Sequence, residues 1–373
     1  MTVAALAVVF LGCWEVLHHW FYAHHVISDT PTYQGDGLAM RHGLLPYRDI
    51  PVEYPPGALP VFLAPTYFTG YVESFGWMMA GCGVACLVLA ALAGAQLRAL
   101  AFIAVSPLLI GSLALSRFDF WPTMFVVAAL AAFAHDRHRI GWAAVCAAVA
   151  AKLFALALVP LMVVWTLHRR GGRALARSVP WGLAVLAAAF VPFLVLAPHG
   201  LWDSLWGEAS RPLQVESLAA AFLTTFSHPT VIATHGSLNL AGEGTVAAAT
   251  TFVEILVLFF LWVGFACGPA TVDRLFRYSA ACLCAFIALG KVLSPQFLIW
   301  LVPVVALVRG RRGYLAAALL TAAWIATDVF FPKRYFEYIF GFHLAWLVLT
   351  RDLLLIALLV TLSRPEREPA RSS

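Results

Sequence analysis

The chain has 373 residues, 62% of them hydrophobic and only 12% charged, with a net charge of +5 and a mean hydropathy of +0.85. A water-soluble domain carries about a quarter charged residues, so a soluble enzyme is excluded. The excess positive charge lies in arginine-rich loops with no basic cluster interleaved with aromatics, which excludes a nucleic-acid partner.

Apolar runs near the length of a bilayer crossing recur from end to end without strand-type alternation. They predict an all-α polytopic membrane protein, a single integral domain over 1–373 embedded among membrane lipids. Residues 2–22 form the first span. They lack a basic leading region and a small-residue cleavage site, so the segment is expected to stay on the protein. No soluble domain is expected at either end. The chain starts almost inside this span, which leaves its true N-terminus open.

A long polar loop, 23–74, comes next. Within it 57–68 is apolar but too short to cross; starting after Pro55-Pro56, it is expected to lie as a helix on the membrane surface. Further spans are predicted over 75–95, 99–115, 120–134, 141–151, 153–167, 179–196, 245–267, 278–290, 297–308, 314–330 and 343–362, about twelve in all. The tail 363–373 is charged and contains proline, and reads as a disordered cytoplasmic segment.

Arginine placement sets the sidedness. With both termini in the cytoplasm, fifteen of the 24 basic residues fall on that side and eight on the other. The long loop then faces outward from the plasma membrane. Two pairs of predicted spans are too short to cross, one pair meeting at Lys152 and the other at Lys291. Reading either pair as one straight span would reverse everything downstream, so each is expected to be a broken helix lining a cavity. A lysine at each break points to an anionic ligand.

The chemistry is concentrated in 28–56, which holds Asp29, Asp36, Asp49 and Glu53. A carboxylate there can act as a base, and Lys152, Lys291, Arg117 and Arg211, all on the same predicted face, can stabilise phosphate charge. Each residue has a plainer reading. Asp29 precedes Thr30-Pro31 and suits a helix N-cap; Asp36 between two glycines suits a turn. Asp49 and Glu53 are expected to pair with Arg41 or Arg48, and Asp119 to pair with Arg117 at a helix start. The two lysines suit snorkelling, and Arg211, Gln214 and Glu216 suit a solvated loop.

Other polar groups look structural. The seven cysteines, Cys13, Cys82, Cys86, Cys146, Cys267, Cys282 and Cys284, all fall in apolar runs and are expected to be buried thiols, with no disulfide or zinc site. His18, His19, His24 and His25 are poorly spaced for a metal, and no metal is expected. Arg351 and Asp352 are helix neighbours that cannot pair well with each other, so each is expected to pair with another span, through Glu254 or Asp328.

The segments SDTPTY, GLLPYRDIPVEYPPGALPVF, SRFDFWP, AAKLFALALVP, RPLQVES and GKVLSPQFLIWLVP resemble, in order and spacing, the polyprenyl-phosphate-mannose-dependent mannosyltransferases of GT-C fold, in their actinobacterial branch. The resemblance covers roughly 2–351. It implies an inverting, metal-independent transfer of a hexose, most simply mannose, from a polyprenyl phosphate to a cell-envelope glycolipid or glycan on the extracytoplasmic side, with no cofactor. The family's essential aspartate, a general base, matches Asp29, with Tyr33 four residues on. Lys152, Lys291, Arg117 and Arg211 would then hold the donor phosphate, and Tyr33, Glu53, Asp119, Gln214 and Glu216 the sugar or acceptor. The loop has no Asp-x-Asp pair, unlike the metal-using oligosaccharyltransferases. Two other readings stay open: a transporter or lipid-sugar flippase, against which stand the four clustered carboxylates and the lack of a twofold repeat, and an arabinofuranosyl- or glucosyltransferase of the same fold.

Overall fold

A computed structural model describes residues 2–21 and 29–364 of the chain. Helix α1 (Val3–Val16) is capped by the Thr2 hydroxyl, which accepts from the Ala5 N–H, and it widens over Leu17–Phe21. Inside the predicted polar loop stands α2 (Thr30–Arg41), with Pro31 in its first turn, where a missing N–H is harmless. A turn-rich linker leads to α3 (Leu59–Leu63), α4 (Tyr71–Leu92), α5 (Leu97–Ile110), the single turn α6 (Leu113–Ser116), α7 (Phe120–Ala134) and α8 (His138–Ala151).

At Lys152 the backbone becomes extended, with φ −162° and ψ 131°, and a 3-10 run over Leu153–Leu158 enters α9 (Val159–Leu196). That helix is broken internally at Gly171, whose φ of 76° suits glycine alone. After it come α10 (Pro198–Ala209), α11 (Leu218–Phe226), a hairpin of β1 (Val231–Thr234) and β2 (Ser237–Leu240), α12 (Gly244–Ala266) and α13 (Val272–Leu289). A second interruption leads to α14 (Leu298–Ala306), α15 (Gly310–Phe330), α16 (Tyr335–Gly341) and α17 (Ala345–Ser363). Both broken helices expected from the lysines are therefore present.

Among the described residues, six helical segments are long and apolar enough to cross a membrane, starting at Val3, Tyr71, Leu153, Gly244, Gly310 and Ala345. The chain is a multi-pass membrane protein. Length alone does not reach the expected twelve crossings, because four apolar helices, among them Leu97–Ile110 and Phe120–Ala134, are shorter than a full span. Helix α13 is buried without a break from Leu275 to Ala285, as an inner helix must be. Helix α12 is the opposite case, with Phe252, Ile255, Phe259 and Phe260 more than half exposed.

Several expectations are corrected. The fold is not purely helical: β1 and β2 pair antiparallel, Val231 opposite Leu240, around His235-Gly236, whose φ angles of 53° and 64° make the mirror-image turn that hairpins favour. The segment 57–68 is no surface helix, since Ala58, Leu59, Val61 and Phe62 are all buried. Cys267, at the end of α12, is exposed. Arg351 and Asp352, both fully buried, do contact each other, at 2.5 Å, and Arg351 also donates to the Glu216 carbonyl at 2.7 Å. A guanidinium at the end of a long stem can fold back where two short chains could not.

Gly57 has no room for a side chain, because a Cβ there would lie 2.5 to 2.6 Å from the backbone of Ala150 and Ala151. That contact presses the proline-rich linker onto the last turn of α8, directly before Lys152. Gly57→Ala should force the two backbones apart and cost about 1–3 kcal/mol, read as a lower melting temperature of the detergent-solubilised protein.

Candidate active site

Asp29 stands one residue before α2, yet its side chain makes no capping bond. Its carboxylate meets the Arg117 guanidinium and accepts from the Tyr33 hydroxyl at 3.4 Å, one helical turn on. The helix start is tethered by the Thr30 hydroxyl, which donates to the Ser116 carbonyl at 3.3 Å. Tyr33 is fixed in turn, stacked on Phe62 with ring centroids 4.5 Å apart. The Asp29 side chain is 37% exposed and that of Arg117 only 8%, so the acid faces open space with the cation behind it. Burial lowers Arg117 to about 10, which leaves it charged at neutral pH.

Asp119, expected to pair with Arg117, pairs with Lys152 instead. It is fully buried, and one carboxylate oxygen accepts from Lys152 Nζ at 2.8 Å and from Trp300 Nε1 at 2.6 Å. The ammonium also lies 4.8 to 5.7 Å from the ring centres of Phe118, Phe297, Trp300 and Tyr54, within cation–π range. Lys152 is therefore held in place rather than snorkelling.

These groups surround a cavity of about 390 Å³. Eight of the ten site residues read from the sequence line it: Asp29, Tyr33, Glu53, Arg117, Lys152, Arg211, Gln214 and Glu216. Asp119 stands behind Lys152 and does not line it. Lys291 does not line it either: it opens into an adjoining apolar pocket of about 250 Å³ with Phe286 and Glu254, and its amine donates to the Ala209 carbonyl at 2.8 Å. One chamber shared by both lysines and Asp29 is thus replaced by two spaces with Lys152 on the wall between them.

Glu53 meets Arg211, not Arg41 or Arg48. Arg41 donates to the Thr66 carbonyl, and Arg48 pairs with Asp49 at 2.9 Å. The linker is drawn toward α10 and the segment after it, and the Ser204 hydroxyl, on α10, donates to the Glu53 carbonyl at 3.0 Å. A third, more open space of about 640 Å³ adjoins there, lined by Asp36, Asp49, Asp203 and the hairpin tip His235-Gly236. Asp36 is not in a turn but on α2, where burial pushes its carboxyl up to about 6.

Among the cavity residues that sequence reasoning missed, three carry titratable side chains. Glu208 pairs with Arg211 at 2.8 Å and lines all three spaces. Its position three residues before Arg211 at the end of a helix was the available signal. Tyr54 sits inside the Glu-Tyr-Pro-Pro motif, but Tyr335, which lies against Glu216, had no signal. Burial pushes the Glu216 carboxyl up to about 7. Arg117 Nε, Arg211 Nε, Gln214 Oε1 and Glu216 Oε2 are buried with no protein partner, and such atoms call for an explanation; here all four belong to residues that line the cavity. Of the histidines, His19 pairs with Glu15 at 2.9 Å and His18 stacks on Trp14; His24 and His25 lie outside the described residues.

No family model and no curated protein matches the chain. Among solved structures, the crystal structure of ArnT from Cupriavidus metallidurans bound to undecaprenyl phosphate aligns with a TM-score of 0.53 at 15% identity, over 96% of this chain and 76% of that one. The two chains share a fold. At that identity the likeness concerns backbone architecture, which extends over almost the whole of this chain.

Two outcomes follow. Asp119→Ala strands the Lys152 ammonium and should cost about 3–5 kcal/mol, the loss typical of breaking a buried pair, read by thermal unfolding. Asp36 has a folded-state pKa above its ordinary value, so its ionisation opposes the fold as pH rises through about 6. Asp36→Asn should melt higher than the parent at pH 8 and level with it near pH 4.

Proposed function

We propose that this protein is a membrane glycosyltransferase that moves a hexose, most simply mannose, from a polyprenyl phosphate to a cell-envelope glycolipid or glycan on the extracytoplasmic side of the plasma membrane. The observation that carries the reading is the position of Lys152 on the wall shared by a polar cavity and an apolar pocket. A lipid-linked phosphate needs that adjacency: its isoprenoid stays in an apolar space while its sugar enters a polar one. The ArnT fold adds support, since that protein was solved with undecaprenyl phosphate bound.

In this reading Lys152 takes the carrier phosphate, with Arg117 and Arg211 supplying further positive charge in the cavity and Lys291 lining the lipid side. Negative charge on the phosphate grows as the glycosidic bond breaks, and fixed cations in a poorly hydrated site stabilise it without reorganising. Asp29 removes the proton of the acceptor hydroxyl, which attacks the anomeric carbon from the opposite side and inverts it. Arg117 and Tyr33 fix the direction of that carboxylate. The acceptor enters through the wider polar space beside Glu53, Glu208 and the hairpin tip and reaches the inner cavity, where Gln214, Glu216 and Tyr335 offer hydrogen-bonding groups.

Asp29→Asn keeps an acceptor for Arg117 and Tyr33 but no base, so turnover should fall about 10²–10⁴-fold with the melting temperature little changed. The assay incubates purified protein with radiolabelled polyprenyl-phosphate-mannose and envelope lipids and follows label into product. Near-parental turnover in Asp29→Asn would remove the base assignment, and no labelled product from any polyprenyl-phosphate sugar would remove the enzyme reading.

A further inference from the structure

A further polar concavity lies at the far end of α8. That helix runs fourteen residues from His138 to Ala151, about 21 Å at 1.5 Å per residue, so its N-terminus is one helix length from Lys152. A pocket of about 530 Å³ opens there, lined by Arg137, Arg139, Arg170, Arg173 and Arg177 against one carboxylate, Asp136. Asp136 is already taken, by Arg169 at 2.9 Å, Arg170 at 3.3 Å and the His138 Nε2 at 3.5 Å. Among the described residues no ion pair engages Arg137, Arg139, Arg173 or Arg177.

Two features point to an anion. Arg173 and Arg177 are four apart on one helical stretch, and like charges at that spacing repel unless something neutralises them. Helix α8 has no side-chain cap, so its first N–H groups, which lack intrahelical partners, face outward beside the guanidinium groups. The surroundings say where the anion comes from. Ile140, on the pocket wall, and Trp181, 5.9 Å beneath the Arg139 guanidinium, are each 54% exposed, and an exposed Trp among arginines marks the boundary between lipid tails and water.

We propose that this pocket seats the phosphate-bearing headgroup of an anionic membrane lipid, at the end of the molecule opposite the polar cavity. Arg137, Arg173 and Arg177 take the phosphate, the start of α8 adds its N–H groups, and the acyl chains pass along Ile140 and Trp181. The site is independent of the sugar-transfer reading.

The test places the full chain in nanodiscs of phosphatidylcholine with or without phosphatidylglycerol and measures retained lipid by native mass spectrometry. Arg173→Gln/Arg177→Gln should weaken phosphatidylglycerol retention roughly 30-fold, at about a factor of five to six per arginine. The control Arg98→Gln/Arg311→Gln removes the same charge at the same end outside the pocket and should leave retention within twofold. Equal losses in the two variants would reduce the effect to net charge and overturn the site. Release of the retained lipid by low-millimolar pyrophosphate, with no preference for phosphatidylglycerol, would instead assign the pocket to a soluble phosphate and overturn the lipid proposal.

Discussion

The ion pair between Lys152 and the fully buried Asp119 sets the geometry of the polar end of the molecule. A buried pair stabilises only when its remaining hydrogen-bonding capacity is met and water is kept away. Trp300 supplies a second donor to the same carboxylate, and four aromatic rings close around the ammonium. This requires α8 to stop at Ala151 and the chain to turn extended for one residue. Continuing the helix would carry the lysine into the packed core and would leave the polar cavity and the apolar pocket without the wall they share.

Around that fixed point the cavity repeats one arrangement. Asp29 lies in front of Arg117, and Glu53 in front of Arg211. In both pairs the carboxylate side chain is about one-third exposed, while the arginine has 8% and 11% exposure. The acids therefore reach the cavity and the cations supply field from behind. An acid held this way is fixed in direction, as the base proposed at Asp29 requires. The cations cannot swing out to neutralise a solvent anion, so their charge remains directed into the cavity.

The sequence carried the local features well and the long-range ones poorly. Broken helices at Lys152 and Lys291 were legible because no other reading kept the arginine-rich loops on one side. Eight cavity residues were legible because polar side chains in so apolar a chain are few, and those near span ends on one face tend to converge. Pairing was not legible. Nothing local says that Asp119 reaches past its neighbour Arg117 to Lys152, or that Glu53 crosses to Arg211, because those choices depend on how α7, α8 and the segment after α10 are laid side by side. The hairpin was missed because its short alternating strands are drowned by the hydropathy of the helices around them, and α2 because its glycines and polar residues disguise a helix whose start, at Thr30-Pro31, was in fact readable.

Glu208 is a wall of all three adjoining spaces. A molecule that shifts this side chain from the apolar pocket alters the surface offered in the polar cavity, and the reverse holds with equal force. Thermodynamic reciprocity then fixes a single coupling factor for both directions. Occupancy of the greasy compartment and affinity in the aqueous antechamber are not separately adjustable in this architecture, and any substitution at Glu208 retunes both together.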